Sequence, residues 1–113
     1  MQLYIGNKNY SSWSMRPWVL LREFNIPFEE VMLHFDSLEP GSTFKRSAAQ
    51  VTPSGRVPTL VLDDGTSVWD TIAIAETLAE NHPDKPLWPQ HPASRARGRS
   101  IVAEMHSGFG GLR

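Results

Sequence analysis

The stretch from Val57 to Thr71 constrains the fold of this chain more than any other part of it. It contains a run of strand-forming residues that opens with Val57-Pro58, a turn with the composition Asp63-Asp64-Gly65, and a second short run that ends at Trp69-Asp70. This pattern predicts a β-hairpin followed by the start of a helix. Pro58 has no amide N–H to give to a sheet, so it marks the entrance of the first strand of the hairpin.

Length, charge and composition exclude several classes of protein. The chain has 113 residues, a formal net charge of -1 and no cysteine. This length allows one domain with a modest core, or one domain and a fragment of another. The charge offers no attraction to nucleic acid or to an anionic membrane, and the lack of cysteine excludes disulfides and a cysteine nucleophile. The four histidines are His34, His82, His91 and His106. Their spacing is not that of metal ligands, so we expect no bound metal.

The targeting signals expected of a secreted or membrane protein are missing from the pattern. No apolar run approaches the roughly 20 residues that span a bilayer. A strand pattern begins almost at Met1, which leaves no room for a signal peptide. We therefore expect a cytoplasmic location and no membrane partner.

The order of the periodic segments predicts an α/β domain. Leu3-Tyr4-Ile5 has the composition of a short strand, apolar residues from Trp18 to Phe24 recur at helical spacing, and residues 31–35 alternate as a strand does. Thr43 to Gln50 is predicted to form a short helix. After the hairpin, a helix that ends at His82-Pro83 is predicted to bury one face, formed by Ile72, Ala75, Leu78 and Ala79.

The order βαβ, short helix, ββα predicts a thioredoxin-like domain over residues 1–82, with a mixed four-stranded sheet and helices on both faces. Residues 83–93 contain four prolines and are predicted to form a stiff linker. Residues 94–113 are helical in pattern, although three glycines near the end each cost about 1 kcal/mol against alanine in a helix interior.

The hairpin stretch also carries a family resemblance. Val57-Pro58-Thr59-Leu60 followed by Trp69-Asp70-Thr71 resembles the glutathione-binding signature of the glutathione S-transferases. The resemblance implies a cis Val57-Pro58 bond, and a Val57 backbone N–H and C=O that are open to an extended peptide by strand addition. Without it, a trans proline is the commoner interpretation, since only about 5 to 6% of X-Pro bonds in folded proteins are cis.

A second motif is similar to the serine motif of the zeta-class transferases, which include the maleylacetoacetate isomerases. It is the segment Ser11-Ser12-Trp13-Ser14-Met15-Arg16. This chain departs from that class at Trp13, where a cysteine is usual, at Pro17, and at Asp70-Thr71, which replaces Gln-Ser. The resemblance further implies that residues 94–113 are the first helix of a truncated all-helical domain. The missing part is expected to cover Trp88, Phe109 and Leu112.

The resemblance assigns the thiol chemistry to serines. Ser11 matches the catalytic serine of the zeta class, with Ser12 second. A hydroxyl that donates to sulfur at a helix N-terminus lowers the pKa of a thiol from about 8.5. The alternative is that a serine only caps the helix. Because Pro17 is tolerated in the first helical turn, the helix is predicted to begin near Ser14, with Ser14 as its cap and the other two serines in the loop.

The remaining site residues are also implied by the resemblance. Asp70 would face the ammonium group of glutathione and Thr71 its γ-glutamyl carboxylate, although both are also good helix-start residues. Val57, between Arg56 and Pro58, would pair with the cysteinyl backbone. Lys45 or Arg46 would meet the glycyl carboxylate, and Arg16 would place positive charge beside the thiolate. A solvated role is the alternative for each of these cations.

The resulting hypothesis is a glutathione S-transferase that activates the thiol of glutathione for attack on a small electrophile. One alternative is the glutathione-dependent cis-trans isomerisation of a maleyl-type acid. The other is a non-catalytic glutathione-binding or regulatory module of the same fold. The resemblance also implies a homodimer for the full-length protein and little activity for these 113 residues alone. The electrophile is not determined by the sequence.

Overall fold

The computed structural model describes residues 1–6, 12–33 and 57–107. The predicted helix at Thr43 to Gln50 lies outside these ranges, as do the polar loop before Ser12 and the last six residues. The described elements, in chain order, are β1 (Gln2–Ile5), α1 (Ser12–Glu23), β2 (Glu29–Met32), β3 (Thr59–Val61), β4 (Ser67–Trp69), α2 (Thr71–Asn81) and α3 (Pro92–Ser107).

The four described strands form one mixed sheet in the order β2-β1-β3-β4. β1 and β2 pair in parallel, as two strands joined through a helix are expected to, while β3 is antiparallel to both β1 and β4. Thr59 is paired with Tyr4 on one side and with Trp69 on the other. The sequence prediction of a mixed four-stranded sheet is therefore confirmed.

The hairpin between β3 and β4 closes on the predicted Asp- and Gly-rich turn. The Gly65 N–H donates to the Leu62 carbonyl at 2.9 Å, and the Leu62 N–H donates to the Thr66 carbonyl at the same distance. Gly65 has a φ of 89°, a backbone conformation that costs glycine little. The Asp64 side chain accepts the Thr66 N–H. This bond, together with one from the Thr66 side chain, lowers the pKa of the Asp64 carboxyl.

The core lies between the sheet and helices α1 and α2. Its members are almost fully removed from solvent, and Leu3 and Leu60 face each other across β1 and β3. The buried apolar residues are Leu3, Ile5, Leu21, Ile26, Leu60, Ile74 and Leu78. The predicted core face of α2 was wrong in one respect: Ile74 and Leu78 are fully buried, whereas Ile72 and Ala75 are half-buried. Because α2 packs against both α1 and β4, its covered surface is wider than one helical face.

Helix α3 begins at Pro92, two residues before the predicted start. The Arg95 N–H donates to the His91 carbonyl at 2.9 Å, which makes Pro92 the first helical residue. A proline at that position is favoured because its fixed φ suits a helix and its missing N–H would have no intrahelical partner. Trp88 is partly covered by α3 itself, since it lies against Gly98 and the Arg99 guanidinium is 5.4 Å from its ring centroid. Within the described ranges, every helix is too short or too polar to cross a bilayer.

Candidate functional site

The N-terminal ends of α1 and α2 meet at a hydrogen bond between Thr71 and Trp13. The Thr71 hydroxyl donates to the Trp13 carbonyl at 3.4 Å, across 58 residues of chain. Thr71 is the first residue of α2, and Trp13 is the second residue of α1. The start of the serine motif and the end of the hairpin, far apart in sequence, are therefore adjacent in the fold.

Pro17 explains why the Trp13 carbonyl is available to Thr71. Pro17 lies inside α1, deeper than the first turn. A proline in a helix interior has no N–H to give to the carbonyl four residues earlier, which here belongs to Trp13. The Thr71 hydroxyl supplies a donor from the neighbouring helix. The expectation that α1 begins near Ser14 was wrong, because Pro17 is tolerated further inside the helix than local rules allow.

Ser14 is not the cap of α1. It is completely buried as the third residue of the helix, and its Oγ accepts the Gly6 N–H at 3.1 Å. This bond ties the start of α1 to the end of β1. Because its side chain is held in the interior, Ser14 is removed from the candidates for contact with a ligand. The Ser12 side chain and the whole of Ser11 lie outside the part of the chain that the structure describes.

The coupling of Pro17 to Thr71 leads to a stability prediction. Thr71→Val removes the hydroxyl and leaves the Trp13 carbonyl without that donor, so we expect the free energy of unfolding to fall by about 1 kcal/mol. In a Pro17→Ala background, the new N–H of residue 17 can bond to Trp13, and the same Thr71→Val change should cost less by about 0.5 kcal/mol or more. Urea unfolding of the four proteins measures this, with Thr71→Ser as the matched control. Equal costs in both backgrounds would show that the two residues act independently.

Asp70 caps α2 from an unusual backbone conformation. Its φ is 81° and its ψ is 133°, a region that residues with a side chain rarely adopt. Oδ1 accepts the Ile72 N–H at 2.9 Å, and the Asp70 carbonyl accepts the Ile74 N–H at 2.9 Å. These bonds satisfy two of the amides at the start of α2. Residues held in rare backbone conformations occur often at binding sites, where the surrounding structure supports them.

The second carboxylate oxygen of Asp70 faces α3. His106 Nε2 lies 3.2 Å from Asp70 Oδ2. The His106 ring also meets Trp13 in an edge-to-face arrangement with centroids 5.0 Å apart. The Arg16 guanidinium stacks on the same Trp13 ring, 4.0 Å from its centroid. Five residues from three helical segments thus form one contact network: Trp13, Arg16, Asp70, Thr71 and His106.

The predicted peptide-binding edge lies at the entrance of β3. The Val57-Pro58 bond is cis, which confirms the expectation drawn from the resemblance. The paired part of β3 begins at Thr59, so Val57 lies two residues before the described ladder. Val57 is half-buried and Pro58 is buried. Thr59 is paired with Trp69, so this entrance is next to the Asp70 end of β4.

The structure brings together some of the predicted site residues. Asp70, Thr71 and Arg16 belong to the network, and Val57-Pro58 lies beside it. Lys45, Arg46, Arg56 and Ser11 are outside the described residues, so their assignments stay predictions. From the sequence, His106 was considered as a possible metal ligand and was assigned no place in the site. The sequence does contain a signal for its position. Arg99 and His106 are about two helical turns apart, so they lie on the same face of α3.

A second contact holds that face of α3 against α2. Arg99 binds the Glu76 carboxylate at two points, with Nε 3.1 Å from Oε1 and Nη2 3.4 Å from Oε2. Among the residues that the structure describes, no three histidine or acidic side chains are grouped as metal ligands.

Comparisons with known proteins agree with this geometry. Residues 10–81 match the family described as glutathione S-transferase, N-terminal domain. A probable maleylacetoacetate isomerase of Caenorhabditis elegans is 35% identical over 107 residues, which is 95% of this chain and 47% of that protein. A glutathione transferase homologue from Burkholderia, solved with bound glutathione, has a TM-score of 0.76 at 29% identity and covers 96% of this chain and 56% of its own. A beta-class glutathione S-transferase from Sphingomonas chungbukensis has a TM-score of 0.74 at 31% identity, with coverages of 96% and 52%.

The mixed sheet, with its cis proline and its flanking helices, defines a thioredoxin-like α/β domain. The match covers well over half of the chain, and the chain belongs to the glutathione S-transferase family. Maleylacetoacetate isomerases among its relatives support the expected zeta-like features of the chain, and the roles of the serines stay predictions. The chain spans about half the length of the curated relatives it matches most fully.

Proposed function

We propose that this chain binds glutathione at the junction of β3, α1 and α2, and that in a complete enzyme it activates the thiol of glutathione for reaction with a small electrophile. The observation that carries the proposal is the Thr71 to Trp13 hydrogen bond, which joins the two helix N-termini beside the entrance of β3. Three kinds of recognition group meet there: the entrance of a strand, a carboxylate and two helix N-termini.

The strand entrance is suited to the peptide backbone of glutathione. Val57 precedes the paired part of β3, where an extended peptide can add to the backbone as a further strand does. Structural relatives that were solved with bound glutathione support this choice of ligand. Lys45 or Arg46 stays a prediction for the glycyl carboxylate of the ligand, and Arg56 stays a predicted binding residue beside Val57.

The γ-glutamyl end of the ligand carries an ammonium group and a carboxylate close together. The Asp70 carboxylate is half-exposed and offers negative charge to the ammonium group. The N-terminus of α2, an eleven-residue helix, offers amide N–H groups and a positive dipole end to the carboxylate. The Thr71 hydroxyl can still accept a hydrogen bond while it donates to Trp13, because a hydroxyl has two acceptor lone pairs.

The N-terminus of α1 is the proposed position of the thiol. A thiolate is stabilised there by the helix dipole and by a hydroxyl donor, and Arg16 adds positive charge near the same turn. Since Ser14 is buried and bonded to Gly6, Ser11 is the first candidate for the donor and Ser12 the second. The thiolate then attacks the electrophilic carbon: its lone pair forms the new carbon to sulfur bond, and the leaving group departs with the electron pair of the bond that breaks.

Cis-trans isomerisation of a maleyl-type acid is the second candidate function. It is favoured by several relatives that are named as maleylacetoacetate isomerases. It needs the same thiolate, which adds to the double bond, allows rotation, and leaves again unchanged. The homodimer and the cytoplasmic location stay predictions from the sequence.

Calorimetric titration of the chain with glutathione tests the binding step. Absorbance of the thiolate of bound glutathione against pH tests activation, and S-methylglutathione, which has no ionisable thiol, is the blank. Turnover of chlorodinitrobenzene or of maleylacetone by the full-length protein separates transfer from isomerisation. Binding with a lowered thiol pKa and turnover of one substrate supports an enzyme. Binding with neither a lowered thiol pKa nor turnover supports the non-catalytic module. Absence of binding rejects the proposal.

Within that experiment, Ser11→Ala is expected to raise the pKa of the bound thiol towards the free value of about 8.5 while the affinity for glutathione changes little. The reason is that the hydroxyl donates a strong hydrogen bond to the sulfur of the thiolate and only a weak one to the sulfur of the thiol. Ser12→Ala serves as the comparison and Ser100→Ala, on the exposed part of α3, as the neutral control. A larger effect from Ser12→Ala would move the donor to that residue.

A further inference from the structure

His106 holds the carboxylate oxygen that a bound ammonium group would need. Asp70 Oδ1 already accepts the Ile72 N–H at 2.9 Å, in the cap of α2. Oδ2 is the oxygen of this carboxylate that the capping bond does not use. His106 Nε2 lies 3.2 Å from it. The imidazole takes up one acceptor position of Oδ2 and the space beside it, and the ammonium group of a γ-glutamyl ligand would have to approach the same side of the carboxylate.

The position of His106 is built by contacts beyond Asp70. Its ring packs edge to face against Trp13, and Arg99 on the same face of α3 holds Glu76 at two points. These contacts fix α3 against both α1 and α2 at the site. The charged groups near the imidazole are Asp70 before α2 and Arg16, which stacks on the same indole from α1.

We propose that His106 is an internal competitor for the ligand's ammonium group, so that binding of a γ-glutamyl compound displaces the imidazole from Asp70. This inference rests on the proposed function. It makes His106 a determinant of affinity and connects occupancy of the site to the contact between α3 and the end of β4. The consequence is a ligand-dependent loosening of α3 at its C-terminal end.

The test compares His106→Phe with the unchanged chain. Phenylalanine keeps an aromatic ring for Trp13 and removes the nitrogen that pairs with Asp70. Because both partners are partly exposed, the pair is worth at most about 1 kcal/mol, and the dissociation constant for glutathione should fall about two- to five-fold. Glutaryl-cysteinylglycine, which lacks the ammonium group, is the matched ligand, and its dissociation constant should not change.

A measurement without substitution accompanies this comparison. In the unchanged chain, the ring signals of His106 in NMR spectra should shift on addition of glutathione but not of the glutaryl analogue, with His106→Phe used to assign them. Weaker or equal glutathione binding by the variant, or an equal change for both ligands, overturns the competitor role. If no form of the chain binds glutathione, the proposed function fails and this inference fails with it.

Discussion

Leu60→Ala is expected to lower the free energy of unfolding by about 2 to 5 kcal/mol, a large part of the total stability of a domain of this size. Leu60 is completely buried in β3 and faces Leu3 of β1 in the antiparallel register. Removing three carbon atoms loses their transfer free energy and leaves a cavity between the sheet and the helices. Urea unfolding followed by far-ultraviolet circular dichroism measures the change.

Val19→Ala is the control for Leu60→Ala. Val19 lies on α1 with 48% of its surface exposed, so its truncation should change the free energy of unfolding by less than about 0.5 kcal/mol. A loss below about 1 kcal/mol for Leu60→Ala would mean that no cavity forms around residue 60. It would contradict the central position of Leu60 in the core.

Replacement of Asp70 is expected to separate stability from ligand binding. Asp70→Gly and Asp70→Ala both remove the carboxylate, so both should weaken glutathione binding by at least about tenfold, the effect of losing a charge-assisted hydrogen bond. Their stabilities should differ by about 1 to 3 kcal/mol in favour of glycine. Both variants lose the capping side chain, but glycine adopts the φ of 81° without strain and is a favourable N-cap residue, whereas alanine keeps the strain and is a poor N-cap residue.

Asp70→Asn is the matched control, because asparagine caps helices and tolerates positive φ but has no charge. It should fold as stably as the unchanged chain and bind glutathione as poorly as the glycine variant. The same urea and calorimetric measurements apply to all three. If Asp70→Gly were less stable than Asp70→Ala, the backbone at residue 70 would not be strained. If Asp70→Asn bound glutathione normally, charge would not be the recognition element.

The hairpin and the helix after it could be predicted from residues close together in the chain. Gly65 permits the turn, and Asp70 caps α2 through Ile72, two residues further on. Apolar spacing alone placed β1, α1 and β2 in the correct order. Local chemistry failed where a distant partner intervened. Pro17 was expected within the first turn of α1, yet it lies deeper in the helix. There the Thr71 hydroxyl of α2 donates to the Trp13 carbonyl, which Pro17 leaves without an intrahelical donor.

The site divides in the same way between sequence and structure. Asp70, Thr71, Val57 and Pro58 could be named from a short signature, because the residues that form this entrance are contiguous or nearly so. The proposed competitor could not, since His106 reaches Asp70 only after α3 has packed against α2.

The sequence by itself determined the order of the described elements, the sheet class and the turn at Gly65, and it placed Asp70 and Thr71 at a helix start, since each follows from periodicity or from bonds between near neighbours. Only the tertiary structure decided that Ser14 accepts a hydrogen bond from Gly6, that Thr71 donates one to Trp13 and that His106 pairs with Asp70. The physical reason is that a side chain's hydrogen-bond partner is selected by distances of about 3 Å between separate elements, and those distances exist only when the elements are packed.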